Sequence, residues 1–200
     1  NMMEIINEYK KLCEELLAIP VIIGKKSRKE KFAGAKTTMT AESLMPDGKA
    51  LQCGTSHNLG QNFSKTFNVS FRGRDEKTYF AWQTSWGFST RLIGALIMLH
   101  GDDKGLVLPP KIAENKVVIV PILFEDSKEK VMKKAKEVEK ELKKFRAFVD
   151  GREEYSAGWK FSEWEMKGIP LRIEIGPKDL KDKKLTIVRR DTGKKEIIGD

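Results

Sequence analysis

Cysteine and histidine are scarce in this chain, with two of each in 200 residues. Cys13 and Cys53 stand far apart and fit no metal-ligand spacing, which argues against a structural zinc site built on them. They read as reduced thiols of a cytoplasmic protein. No apolar run reaches the length needed to cross a bilayer. The opening Asn1-Met2-Met3-Glu4 lacks the basic flank and cleavage site of a secretory signal. Internal repeats and low-complexity tracts are missing too, which sets aside solenoids and biased linkers.

Acidic residues are outnumbered: 38 Lys/Arg against 29 Asp/Glu leave a net charge of +9. Residues 1–113 hold 16 Lys/Arg against 11 Asp/Glu, and residues 114–200 hold 22 against 18, so both halves share the excess. Such a balance favours a polyanionic partner such as nucleic acid. Ordinary lysine-rich solubility produces the same balance. Apolar residues make up 40% and charged residues 34%, as in a globular chain with a well-solvated surface, and the length suits one large or two small domains.

The spacing of apolar residues predicts an α/β protein in two parts. Residues 1–113 read as α+β, an antiparallel sheet carrying helices. A helix over 2–19 presents Ile5, Ile6, Tyr9, Leu12, Cys13, Leu16 and Leu17 on one stripe and stops at Pro20. A short strand follows at 21–23. Strands over 37–45 and 49–54 flank the turn Pro46-Asp47-Gly48. A short helix is expected over 62–67, then a strand pair over 67–71 and 79–83. The boundary is set after Leu108-Pro109-Pro110-Lys111-Ile112-Ala113, where two prolines deny regular structure. Residues 114–200 alternate strand and helix, a small α/β domain with a mixed sheet. Its strands are expected over 116–123, 146–149, 171–175 and 185–189. Its helices are expected over 126–145, with a capping box from Asp126 to Glu129, and over 159–166.

Two local patterns carry chemistry. Thr84-Ser85-Trp86-Gly87-Phe88-Ser89-Thr90-Arg91 reads as a glycine-hinged turn from a strand into an apolar helix. Backbone N–H groups at a helix N-terminus suit an anion, and Arg91 in the first turn offers a forked donor set for phosphate. A buried helix capped by Ser89 or Thr90, with Arg91 paired on the surface, satisfies the same residues. The second pattern is Gln52, Thr55 and His57, read as an amide, a hydroxyl and an imidazole on one face of a strand entering a glycine turn. This polar row suits a small molecule with several hydrogen-bonding atoms; a solvated sheet face, with His57 structural, is the alternative. In Phe32-Ala33-Gly34-Ala35, the small residues are expected to let backbone approach a ligand closely.

Taken in order, several stretches resemble prolyl-tRNA synthetases of the archaeal and eukaryotic type, a class II family. They are Lys31 to Ala35, Gly54 to Ser64, Thr84 to Arg91, His100 to Pro110, Gly158 to Phe161, Trp164 to Pro170, Gly176 to Asp179 and Arg189 to Lys194. The resemblance covers essentially the whole chain. It implies ATP-dependent activation of L-proline as prolyl-adenylate, with ATP and magnesium, and transfer of the prolyl group to its tRNA in the cytoplasm. It also implies a homodimeric parent.

By that resemblance Arg91 grips ATP phosphate as the catalytic arginine, Gln52, Thr55 and Ser89 contact ATP with magnesium near Gln52, and Phe32, His57 and Trp86 line the proline pocket. Residues 1–113 match the C-terminal part of the catalytic domain, and residues 114–200 an anticodon-binding domain cut at its C-terminus. Glu165, Arg172 and Lys194 match positions that read the two guanines of a proline anticodon. Taken without the resemblance, Glu165 and Lys194 are ordinary surface charges, and Arg172 alternates with Glu174 and can pair with it on a solvated face.

The family's first two signature motifs are not found upstream of the opening helix. The expectation is therefore a fragment that does not make prolyl-adenylate by itself. A tRNA-binding fragment or paralogue without chemistry is the alternative. A relative specific for another amino acid, such as threonine or glycine, is a weaker one; the pocket discriminates, since a threonine enzyme of this class holds its substrate through zinc and that ligand set is missing.

Overall fold

The computed structural model describes residues 1–199. They divide into two compact units, residues 1–99 and residues from 100 onward.

In the first unit, helix α1 (Met2–Lys11) continues into a widened π turn over Leu12–Leu16, with Leu17 N–H donating to the Leu12 carbonyl at 3.2 Å. The single helix expected over 2–19 thus ends in two kinds of turn, closed by Ala18 in the left-handed region at φ 53°. An antiparallel sheet follows in the order β1–β2–β3–β6. Its strands are β1 (Ile22–Lys25), β2 (Thr37–Leu44), β3 (Ala50–Gly60) and β6 (Gln83–Gly87). The short helix α2 (Asn62–Thr66) and the small hairpin β4 (Ser70–Arg72) and β5 (Thr78–Phe80) lie between β3 and β6. Helix α3 (Arg91–His100) comes after β6. One sheet face buries Ala41 and Cys53 against Ile6 and Cys13 of the α1 region and Leu92 and Ala95 of α3. This core leaves the other face for a site.

Two expectations change here. β3 runs on through Gly54 to Gly60, where φ is +61°, so the strand's glycine turn comes six residues later than expected. The segment read as a turn over 84–91 is a strand as far as Gly87, because Thr84 to Gly87 find partners on β3 from Asn58 to Thr55.

The second unit is a mixed sheet in the order β11–β10–β9–β7–β8. Its members are β7 (Val117–Pro121), β8 (Phe148–Val149), β9 (Leu171–Ile175), β10 (Lys184–Arg189) and β11 (Lys195–Gly199). β7 is parallel to β8 and β9, whereas β9, β10 and β11 are antiparallel. β7 is buried along its whole length, as its unbroken apolar run requires. Helix α4 (Lys128–Glu141) covers one face with Val131, Ala135 and Val138. Helix α5 (Ala157–Met166) covers the other with Phe161 and Trp164 against Val118, Val120 and Ile169. The capping box expected from Asp126 is not formed; Ser127 is the N-cap residue, and its hydroxyl donates back to the Phe124 carbonyl at 3.3 Å rather than capping the helix. Helix α6 (Pro177–Asp182) and strand β11 were not foreseen.

The expected boundary after residue 113 falls inside the second unit. Residues 100–113 belong there because Leu106 N–H donates to the Met166 carbonyl at 3.0 Å, and Arg190 makes two bonds to the Asp102 carboxylate at 2.6 and 2.7 Å.

Candidate functional site

Gln52 and Thr55 are three residues apart, so strict alternation would set them on opposite faces of β3. A β-bulge prevents this. Ala41 pairs with Gly54 and Glu42 with Gln52, which leaves Cys53 as an extra residue on β3. Cys53 and Gly54 then both turn toward α1: Cys53 lies in the core, and a Cβ on Gly54 would meet the Tyr9 ring at 2.8 Å. Gln52, Thr55 and His57 consequently share the face away from α1.

They line one open depression with Ser85, Phe88, Ser89 and Arg91, the last two at the start of α3. Ser89 accepts the Arg91 N–H on its hydroxyl at 3.3 Å, so it caps the helix. Arg91 Nη1 donates to the Gln52 carbonyl at 3.4 Å, which draws the guanidinium over the end of the row. Capping and site-lining, posed as alternatives for Ser89, therefore coexist. The Phe32 ring lies 5.0 Å from the His57 ring. Burial lowers the His57 pKa from the ordinary imidazole value, which favours the neutral ring.

Two expected residues fall differently. Trp86 borders the depression and is half exposed, but its register partner on β3 is the fully buried Ser56 rather than His57. Ser85 is the register partner of His57 and holds the position on the site face. Gly34, expected to admit a ligand, instead admits Phe63: φ is +83°, and a Cβ there would lie 2.9 Å from the Phe63 ring. Thr38, opposite His57 on β2, was not singled out from sequence; only its cross-strand register reveals it.

In the second unit, Glu165 and Arg172 come together, with Arg172 Nη1 3.1 Å from Glu165 Oε1. Glu174 takes two further bonds from Arg172, and the Arg172 guanidinium lies over the Phe161 ring at 4.3 Å. The pairing of Arg172 with Glu174, the alternative reading, is present, but on a buried rather than a solvated face. Lys104 reaches Glu165 at 3.6 Å. Lys194 stands apart, exposed and paired with Glu196 at 3.0 Å, while its neighbour Lys195 joins the cluster through Glu174 at 3.1 Å. Val118, Trp164, Ile169 and Arg190 complete the wall of a small pocket around Glu165 and Arg172.

Residues 116–199 match the family model of the anticodon binding domain. Nearly the whole chain also aligns with curated proline–tRNA ligases. The ligase of Natranaerobius thermophilus is 53% identical over 98% of this chain and 41% of its own length. That of Cenarchaeum symbiosum is 57% identical over 97% of this chain and 41% of its own. That of Chlorobaculum tepidum is 55% identical over all of this chain and 42% of its own. The chain is a homologue of proline–tRNA ligases. It spans about two-fifths of the length of those ligases, and the proline–tRNA ligase homology takes in both the depression of the first unit and the Glu165–Arg172 pocket of the second.

Proposed function

We propose that this chain supplies part of a cytoplasmic proline–tRNA ligase. Its first unit would hold ATP and proline as they join to prolyl-adenylate, and its second would read the tRNA anticodon. The observation that carries this reading is the convergence of Gln52, Thr55, His57, Ser89 and Arg91 on one depression, with the β3 bulge setting Gln52 on the same face as Thr55 and His57. A module that only bound tRNA would have no use for it.

The chemistry asked of the depression is positioning and charge neutralisation. Arg91 and the N-terminus of α3 offer fixed donors to the negative charge of phosphate. The neutral His57 and the Phe32 ring offer a compact wall for an apolar ring. Among the described residues no group of three His, Cys, Asp or Glu side chains could hold a metal ion alone. Magnesium fits as an ion carried by ATP phosphates, with the Gln52 side-chain oxygen as a hard ligand, and would neutralise phosphate charge there. Glu165 and Arg172 offer an acceptor and a forked donor to guanine edges. Homodimerisation belongs to the same proposal.

Thermal unfolding with a non-hydrolysable prolyl-adenylate analogue, beside its alanyl and threonyl counterparts, tests it. A ligand at a hundredfold excess over its Kd adds about 2.7 kcal/mol to the folded form, a midpoint rise of several degrees. Selective stabilisation by the prolyl analogue is expected, and Arg91→Ala should remove it. No shift, or equal shifts with all three, would defeat the proposal.

A further inference from the structure

We infer that Thr38 is a positioning residue: it holds His57 as the imidazole protonated on Nε2 and, through the ring, turns the Thr55 hydroxyl proton into the depression. The state of the ring follows from geometry. Its consequence for a ligand rests on the prolyl-adenylate reading above.

Thr38 is only 2% exposed. Its Oγ1 accepts the Phe32 N–H at 3.2 Å and lies 2.9 Å from His57 Nδ1. On the far side of the ring, Nε2 lies 3.1 Å from Thr55 Oγ1. The protons of this chain can be placed in only a few ways. If Nδ1 carried a proton, Thr38 Oγ1 would accept from both Phe32 and His57. Its own proton would then be buried with no acceptor, which is costly. The imidazolium form leaves the same orphan. With Nδ1 bare, Thr38 donates its proton to the ring and every group is matched. Nε2 must then hold the ring proton and donate it to Thr55 Oγ1. Having accepted, the Thr55 hydroxyl has its own proton free, and it lies in the wall of the depression beside Ser89 and Arg91. Burial of the ring favours the neutral form, in the same direction.

A relay centred on the buried Thr38 thus runs from the Phe32 backbone through Thr38 and the half-buried His57 to Thr55. It converts a hydroxyl that could accept or donate into a committed donor. Such a donor favours a phosphate or carbonyl oxygen of the adenylate and disfavours a ligand donor at the same place.

Imidazole 15N spectra of the complete chain read the ring directly, because it has two histidines and His100→Gln assigns them. In the wild type at neutral pH, His57 should be a single neutral form with a bare Nδ1 that accepts a hydrogen bond. Thr38→Val should release the ring into an averaged mixture, Thr38→Ser should restore the single form, and Thr55→Val should leave it in place. A wild-type ring protonated on Nδ1 or doubly protonated would overturn the inference without any variant. So would a Thr38→Val spectrum unchanged at both nitrogens. Thr38→Val should also weaken binding of the prolyl-adenylate analogue about tenfold, with Thr38→Ser close to wild type. Should the wild type bind no analogue, the adenylate reading fails, while the ring spectra still decide the role of Thr38.

Discussion

Arg172 and Glu174 form an ion pair sealed at both ends. Arg172 Nε and Nη2 reach the same oxygen, Glu174 Oε1, at 3.1 and 2.9 Å, and both side chains are 8% exposed. The two residues alternate on β9 and face the same way, so the strand itself sets the geometry. A buried pair of this kind adds little net stability, but removing one partner strands the other's charge. Arg172→Met should therefore destabilise the second unit by about 3 kcal/mol, the low end of such losses because Lys195 still reaches Glu174. Arg172→Met with Glu174→Leu should recover most of it. Denaturant midpoints of the two variants check this; a double variant as weak as the single one would show that the pair stabilises by more than mutual neutralisation.

Glu165 is held less tightly. Its carboxylate takes Arg172 at 3.1 Å and Lys104 at 3.6 Å, and its side chain is about a quarter open to solvent. A guanine edge offering N–H donors can displace the exposed Lys104 contact and leave the Arg172 contact in place. Glu165→Gln keeps the shape but loses the charge on the acceptor. It should weaken binding of a stem-loop RNA with the proline anticodon by about 1–3 kcal/mol and relax the preference for guanine. Fluorescence titration at fixed salt reads both. Unchanged affinity for guanine and adenine versions would remove Glu165 from the reading surface.

Arg91 tests the other unit. Its guanidinium is fixed from one side by the Gln52 carbonyl, which leaves further N–H groups of the fork toward the depression. Lysine keeps the charge and loses the planar fork. Arg91→Lys should bind the prolyl-adenylate analogue at least tenfold more weakly while unfolding at the wild-type midpoint without ligand, since the residue is exposed. Calorimetric titration separates the two effects. Equal binding would mean that charge alone suffices at this position.

Local chemistry made much of this molecule readable in advance. The apolar run over Val117–Val120 and the Pro46-Asp47-Gly48 turn act on their own neighbours, and both appear where the sequence places them. What escaped depends on partners distant in the chain. The bulge at Cys53 exists because β2 pairs out of step with β3, and nothing near Cys53 announces it. It also makes Gln52 face Thr55 and His57, which their spacing alone would forbid. Ser85 rather than Trp86 faces His57 for a similar reason, since β6 takes its register from β3. Thr38 looks like any strand threonine until its opposite residue is known. Pro109-Pro110 ends regular structure but not the domain, because the Asp102–Arg190 bond joins residues 88 positions apart.

Asp150 sets an acid limit on the second unit. Its side chain is 2% exposed, and it receives Arg152 Nε at 2.9 Å, Arg152 Nη2 at 2.7 Å and Trp164 Nε1 at 2.8 Å. Burial works to raise its pKa, but the hydrogen bonds from Arg152 and Trp164 outweigh burial and hold it at about 2. In the unfolded chain the same carboxyl titrates at about 3.9. Because the folded value is the lower one, the stabilisation is complete above about pH 4 and is lost as the pH falls through about 2. Its size is on the order of 2 kcal/mol. Asp150→Asn preserves volume and keeps one acceptor for Trp164, but takes the countercharge from Arg152, which then leans on Glu163. The variant should be less stable than wild type at pH 7 by that amount, and the gap should narrow steadily between about pH 4 and pH 2. Urea midpoints measured across that window decide the matter. A gap that stays constant with pH would assign the loss to packing, since only an ionised Asp150 makes the difference depend on protons.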